Sequence, residues 1–262
     1  MKNGVKLQAH KGVETEYPEN TLPAFEAAGE QGYEMIELDL RMTKDDRVIV
    51  MHDSSLNSTG RNPDGSELKE QIKITDITYE EALKYDFGIW FSEKFRGTKL
   101  PLFDDVLPIA KKYGITLKID SKIKRMSEHQ LDILFEMINA SGVRTVISCW
   151  DSQIAGKVLK ELPNADISFD GMTDENELKY YSTLAGKDRF WVWIPMDYEM
   201  ATWAPTEWFA TDEQCMTIKK YAKLGIWAIK DEQSFMSAAG RLLPDAAETS
   251  GNIKPDFYGT EV

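Results

Sequence analysis

From Pro101 onward the chain keeps a rhythm that few folds satisfy. Helix-length amphipathic segments, expected over residues 103–113, 127–140, 152–161, 175–184, 213–223 and about 235–243, alternate with short apolar runs. Those runs, at 115–119, 145–149, 166–169, 190–194 and 226–230, are rich in β-branched and aromatic residues and read as strands. Upstream, residues 5–10 read as a first strand, and Pro18-Glu19-Asn20-Thr21 opens a helix that runs to about Gln31 and stops at Gly32. Strands then start at Met35 and Val48. Eight strands separated mostly by helices predict parallel β/α units. The expected fold class is therefore α/β, a distorted TIM (β/α)8 barrel, with the less regular residues 54–100 carried as an insertion after the third strand. The length of 262 residues suits one such domain over 1–262. An open doubly wound sheet is the competing architecture, but no Gly-rich dinucleotide fingerprint follows the first strand.

The most informative chemistry lies in residues 35–53. Alternation places Glu37 and Asp39 on one face of a strand and Ile36, Leu38 and Leu40 on the other. Adjacent carboxylates repel, and burying them unpaired is costly. A hard divalent cation such as Mg²⁺ or Ca²⁺ resolves that conflict. The chain then turns and delivers His52-Asp53 after an apolar run, which adds an acid–base group beside the carboxylates. An ordinary surface hairpin would carry the same residues without such a role, so the stretch gains weight only in company.

That company sits at the other strand ends, where barrel active sites assemble. The first strand ends in His10, and the fourth carries Lys118, Asp120 and Lys122 on one face. Later ends, Trp150-Asp151, Asp170, Trp193 and Lys230-Asp231, are poorer in charge. Carboxylates, histidines and lysines converging on one half of a barrel suit metal-assisted attack on a phosphate. A His-rich zinc site is disfavoured, because the chain has only 3 histidines and His129 falls in an expected helix. A serine hydrolase is weaker still, since no Gly-x-Ser-x-Gly elbow occurs.

The 44 acidic residues outnumber 31 basic ones, for a net charge of −13. Such a surface excludes nucleic acid and anionic membranes as partners. The small-molecule substrate expected here is anionic too, so local lysines and a metal have to reverse the field inside the cleft. Nothing reads as a signal peptide or a membrane span; Met1–Gly4 leads at once into a strand. The expectation is a cytoplasmic enzyme with no stable membrane insertion, a secreted one whose signal peptide has been removed being the alternative. Cys149 and Cys215 form no motif, and Cys149 is expected as a buried thiol.

Taken together, these stretches resemble the glycerophosphodiester phosphodiesterases. Ala9-His10-Lys11-Gly12 is similar to that family's His-Arg-Gly, Pro18-Glu19-Asn20-Thr21 to its Pro-Glu-Asn-Thr, and Glu37-Leu38-Asp39 to its Glu-x-Asp. His52-Asp53 follows, and Asp120-Ser121-Lys122 stands where the family has Glu-x-Lys. The resemblance is strong over residues 7–122 and thinner beyond. It implies a distorted β/α barrel that hydrolyses glycerophosphodiesters to glycerol 3-phosphate and an alcohol. By the same resemblance, Glu37, Asp39 and Asp120 are the expected ligands of a divalent metal, and His10 and His52 the general acid–base pair. Lys11 and Lys122 are the expected phosphate contacts, and Trp193 the aromatic that packs against the glycerol end.

Three departures bear on substrate. Lys11 replaces an arginine, which turns a bidentate grip into a point charge. Asp120 replaces a glutamate, shortening one expected ligand. Trp193-Ile194-Pro195-Met196 replaces Trp-Thr-Val-Asn and leads into a long loop with Trp203 and Trp208. Two alternatives follow. One is a sphingomyelinase D or lysophospholipase D-like phosphodiesterase or lyase, with Trp90, Phe91, Trp203 and Trp208 as apolar residues at the mouth. The other is a homologue that binds without catalysis.

Overall fold

Eight parallel strands close into a barrel in the computed structural model, which describes residues 4–255. The chain runs β1 (Lys6–His10), α1 (Leu22–Glu30), β2 (Met35–Leu38), β3 (Leu40–Met42), β4 (Val48–Val50) and α2 (Tyr79–Ala82). It continues through α3 (Phe103–Tyr113), β5 (Thr116–Ile119), α4 (Glu128–Ser141), β6 (Thr145–Ser148), α5 (Ser152–Glu161) and β7 (Ala165–Asp170). It ends with α6 (Glu175–Ala185), β8 (Phe190–Pro195), α7 (Asp212–Tyr221), β9 (Lys223–Trp227), α8 (Glu232–Leu242) and β10 (Ala246–Thr249). Around the barrel the order is β1-β10-β9-β8-β7-β6-β5-β2, and β2 closes on β1. The helices come out close to expectation because their apolar faces are well marked and several carry N-terminal capping residues: Ser127, Asp151, Asp174 and Thr211.

One expected strand falls outside the barrel, and one barrel strand was not expected. The strand starting at Val48 is not part of the barrel; β4 pairs antiparallel with β3 in a separate two-stranded sheet. The eighth barrel strand is instead β10, which lies across the start of the tail expected as an irregular extension over 248–262. Residues 1–3 and 256–262 lie outside the described residues. The sequence of β10, Ala-Ala-Glu-Thr, has little strand character, and the reason is steric. Trp191 and Trp193 on β8 stack with centroids 5.8 Å apart and fill the barrel interior with Met35, Val146 and Ala246. A Cβ on Gly225 of β9 would stand 2.3 Å from the Trp193 ring. Two tryptophans thus demand small residues on the strands beside them, and small residues hide a strand from a propensity reading. β9 also begins earlier than expected and ends at Trp227, after which Ala228 adopts φ +55°.

The outer faces of the strands pack on the helices through a continuous apolar layer that includes Phe25, Ile36, Leu38, Phe103, Leu117, Leu134, Ile167 and Phe235. Each such side chain contributes roughly 1.5–3 kcal/mol when fully buried. The hairpin and the segment after it form a smaller core of their own around Ile49, Met51, Leu56, Ile74, Phe87 and Leu100. Both cysteines are buried free thiols. Barrel register then fixes the site: His10 is the Cα partner of Glu37, and Glu37 is the partner of Lys118.

Candidate active site

The first wall is the turn after β1. Lys11 and Gly12 both take positive φ, +52° and +84°, which reverses the chain at once. A side chain at Gly12 would drive its Cβ to 2.7 Å from that of Ala24 on α1, so glycine is required there. The Lys11 amide donates to the Glu37 carbonyl at 3.0 Å, and the Asn20 amide donates to the Lys11 carbonyl at 2.9 Å. Asn20, itself at φ +55°, donates from Nδ2 to Asp39 Oδ2 at 2.8 Å. Thr21 Oγ1 donates to the Pro18 carbonyl at 2.6 Å as α1 begins. The Pro-Glu-Asn-Thr stretch is therefore a clamp on the second acid of the Glu-x-Asp pair.

The second wall is the hairpin. The Asp39 carbonyl accepts the Met51 amide at 2.9 Å, tying the strand that leaves the barrel to the one that returns. Arg41 Nε donates to the His52 carbonyl at 3.0 Å and so fixes the backbone that carries the imidazole. On the third wall, the Asp120 amide donates to the Leu38 carbonyl at 3.1 Å. Asp120 Oδ1 in turn accepts the Lys122 amide at 2.8 Å and Lys122 Nζ at 3.0 Å.

These walls bring His10, Lys11, Glu37, Asp39, His52, Asp120 and Lys122 onto one cavity of about 490 Å³. Glu37, Asp39 and Asp120 each offer an oxygen, all within 4.8 Å of one another. Trp193 is not among the residues that line this cavity. It is fully buried in the barrel interior, stacked on Trp191, with its backbone level with Gly225 and Asp170. The aromatic walls are Trp203 and Trp227, stacked with centroids 5.3 Å apart.

Lys118, Asp170 and Glu248 also face the cavity. Lys118 Nζ lies 4.9 Å from the Trp193 ring centroid and 4.0 Å from Asp170. Its alternation with Asp120 was visible in the sequence. Glu248, which accepts from Gln8 Nε2 at 2.5 Å, was hidden in the unrecognised β10.

Electrostatics set the two strand acids apart. Burial and the charge of Asp39 push Glu37 well above the ordinary carboxylate range. Burial opposes the charge of Asp39 too, but Lys122, with Nζ 2.8 Å away, and His52 hold it down at about 2. For His10, burial works against protonation, yet the hydrogen bond to Glu14 and the charges of Glu248 and Glu37 raise it to about 10. Each histidine has its own acid at Nδ1: Glu14 stands 2.6 Å from His10, and Asp53 stands 2.7 Å from His52.

Glu37 Oε2 is buried and accepts no hydrogen bond, whereas the buried Asp39 Oδ1 has Lys122 Nζ 2.8 Å away as its ion-pair partner. A buried carboxylate oxygen without a hydrogen bond is costly, and Glu37 sits in a cluster where it, Asp39 and Asp120 each bring an oxygen within 4.8 Å of the others. Three oxygen donors fit a hard divalent cation, which would also relieve the repulsion between Glu37 and Asp39.

A sequence profile of the glycerophosphoryl diester phosphodiesterase family matches residues 10–219. A glycerophosphodiester phosphodiesterase of Bacillus altitudinis is 36% identical over 137 residues, 47% of this chain and 53% of that relative. A lysophospholipase D of Mus musculus is 31% identical over 169 residues, 61% of this chain and 49% of that relative. The chain spans about half the length of the curated relatives it matches. In structure it is similar to an Oleispira antarctica phosphodiesterase in complex with the product sn-glycerol-3-phosphate. The TM-score is 0.73 and the identity 16%, over 94% of this chain and 93% of that one, so this likeness concerns the fold. With the profile matched across most of its length, the chain belongs to the glycerophosphoryl diester phosphodiesterase family.

Proposed function

We propose that this site hydrolyses glycerophosphodiesters to glycerol 3-phosphate and an alcohol, with Mg²⁺ or Ca²⁺ held by Glu37, Asp39 and Asp120. The observation that carries the reading is the meeting of three carboxylate oxygens within 4.8 Å in a cavity that both His10 and His52 line. A cation bound there would draw charge from the phosphate oxygens as the phosphorus is attacked. Lys11 and Lys122 supply further positive charge to the phosphate in an otherwise acidic mouth. In the balanced step, water forms a new P–O bond while the P–O bond to the alcohol breaks. One histidine takes the proton from the water and the other gives a proton to the departing alkoxide. Family membership and the relatives named glycerophosphodiester phosphodiesterase support the substrate class.

One observation favours a second reading, a lysolipid substrate. Trp203 is 71% exposed at the cavity, and Tyr198 and Met200 on the same loop are exposed as well. An acyl chain needs such an apolar rim. No helix among the described residues is long and apolar enough to cross a membrane.

The test is product identification on glycerophosphocholine, glycerophosphoethanolamine and a lysophosphatidylcholine with Mg²⁺ or Ca²⁺ present. Release of glycerol 3-phosphate from the first two supports the leading reading. Preferred turnover of the lysolipid supports the second, and no product from any of the three contradicts both.

A further inference from the structure

We propose that Glu14 is the positioning residue of His10: its carboxylate fixes the ring so that Nε2, and not Nδ1, faces the reacting phosphate. This rests on the reading of the site as a phosphodiester hydrolase. Glu14 is not at a strand end, and no spacing in the sequence singles it out. It lies four residues beyond His10, on the turn that leaves the cavity.

The geometry is specific. Glu14 Oε1 stands 2.6 Å from His10 Nδ1, while Nε2 of the same ring lies 3.9 Å from Glu37 Oε2. An ionised carboxylate only accepts hydrogen bonds, so the shared proton belongs to Nδ1. Nε2 is then the nitrogen left to take or give a proton on the side of the carboxylate cluster. A third group that orients a catalytic base in this way is a recurring device. His52 has the same arrangement with Asp53 at 2.7 Å, so the two histidines of the site are each held by a separate acid.

Glu14 is also held where it can do this. Its neighbour Val13 is fully buried, and the Val13 amide donates to the Ala24 carbonyl at 3.3 Å. The Thr15 amide donates to the Ser250 carbonyl at 3.1 Å, which fastens the turn to the segment after β10. Glu14 lines a separate space of about 120 Å³ behind His10 and not the larger cavity where the lysines and carboxylates meet. It therefore acts through His10 and not on the phosphate.

The test compares Glu14→Gln and Glu14→Asp with the native chain, and uses Glu16→Gln on the same turn as a control, since Glu16 pairs with Lys254 and not with the site. Turnover is measured on the preferred glycerophosphodiester, and the His10 ring protons are followed by NMR, assigned by their loss in His10→Ala. The native spectrum should show a downfield, hydrogen-bonded proton on His10 Nδ1. Glu14→Gln should lose that signal and drop kcat about 10²-fold, with KM within about threefold, while Glu14→Asp recovers part of the loss. Glu16→Gln should leave kcat and the signal unchanged. Native kcat in Glu14→Gln, or a change in KM alone, overturns the proposal. So does a native His10 whose Nδ1 carries no hydrogen-bonded proton, a result independent of turnover. A native chain that hydrolyses no diester, with the Nδ1 signal present and lost in Glu14→Gln, would instead contradict the functional reading and leave the positioning of His10 upheld.

Discussion

Asn20 reaches across from the start of α1 and donates its side-chain amide to Asp39 Oδ2 at 2.8 Å, with both residues buried. Asn20 also tolerates the left-handed backbone, φ +55°, that the turn imposes. One residue thus satisfies a bend and orients a carboxylate whose other oxygen pairs with Lys122 Nζ at 2.8 Å. Asn20→Ala should weaken divalent-metal binding by about 10–100-fold, the usual range for loss of a partner that orients a ligand. Calorimetric titration with Mg²⁺ and Ca²⁺ checks this. Unchanged affinity would mean that the clamp serves the turn alone.

His10 and His52 approach the cavity from different elements, β1 and the segment after the hairpin, and the proposed chemistry needs both. His10→Ala and His52→Ala should each lower kcat by about 10² or more with the fold intact. The double variant should lose less than the product of the two, because the groups act as a unit. Steady-state kinetics with a circular dichroism check measures both. Near-native kcat in either single variant would make that histidine structural.

Lys11 lies on the cavity with Nζ 3.3 Å from Glu19, so its charge is already partly shared. Lys11→Arg keeps the cation and adds a planar fork for the phosphate, and should keep or raise kcat/KM. Lys11→Met deletes the charge at similar length and should lower it. The comparison is made on the glycerophosphodiester panel. Unchanged kcat/KM in Lys11→Met would show that Lys11 does not touch the phosphate.

Much of this site was legible because period-two alternation is hard to disguise. Glu37 and Asp39 had to share a face, and Lys118, Asp120 and Lys122 followed the same rule. What failed depends on depth and on size. Trp193 was expected at the glycerol end by resemblance, and its full burial beside Trp191 and Met35 could not be read from the strand pattern. Trp203, expected at the mouth, lines the cavity with Trp227, which no motif singled out. β10 was missed because the tryptophans leave room there for Ala246 and little more. Val48, a strong strand former, was counted into the barrel although its partner is Met42 in the hairpin. Glu14 gave no signal at all, since its role lies in one hydrogen bond across four residues of turn.

The central claim is that Glu37, Asp39 and Asp120 hold a divalent cation on which phosphodiester hydrolysis depends. The most direct measurement is glycerol 3-phosphate release from glycerophosphocholine by protein dialysed exhaustively against chelator, before and after Mg²⁺ or Ca²⁺ is returned. Release should be absent in chelator and restored by the ion, and the melting temperature should rise with ion concentration, because the site exists only in the folded chain. Full release of glycerol 3-phosphate in chelator would contradict the claim.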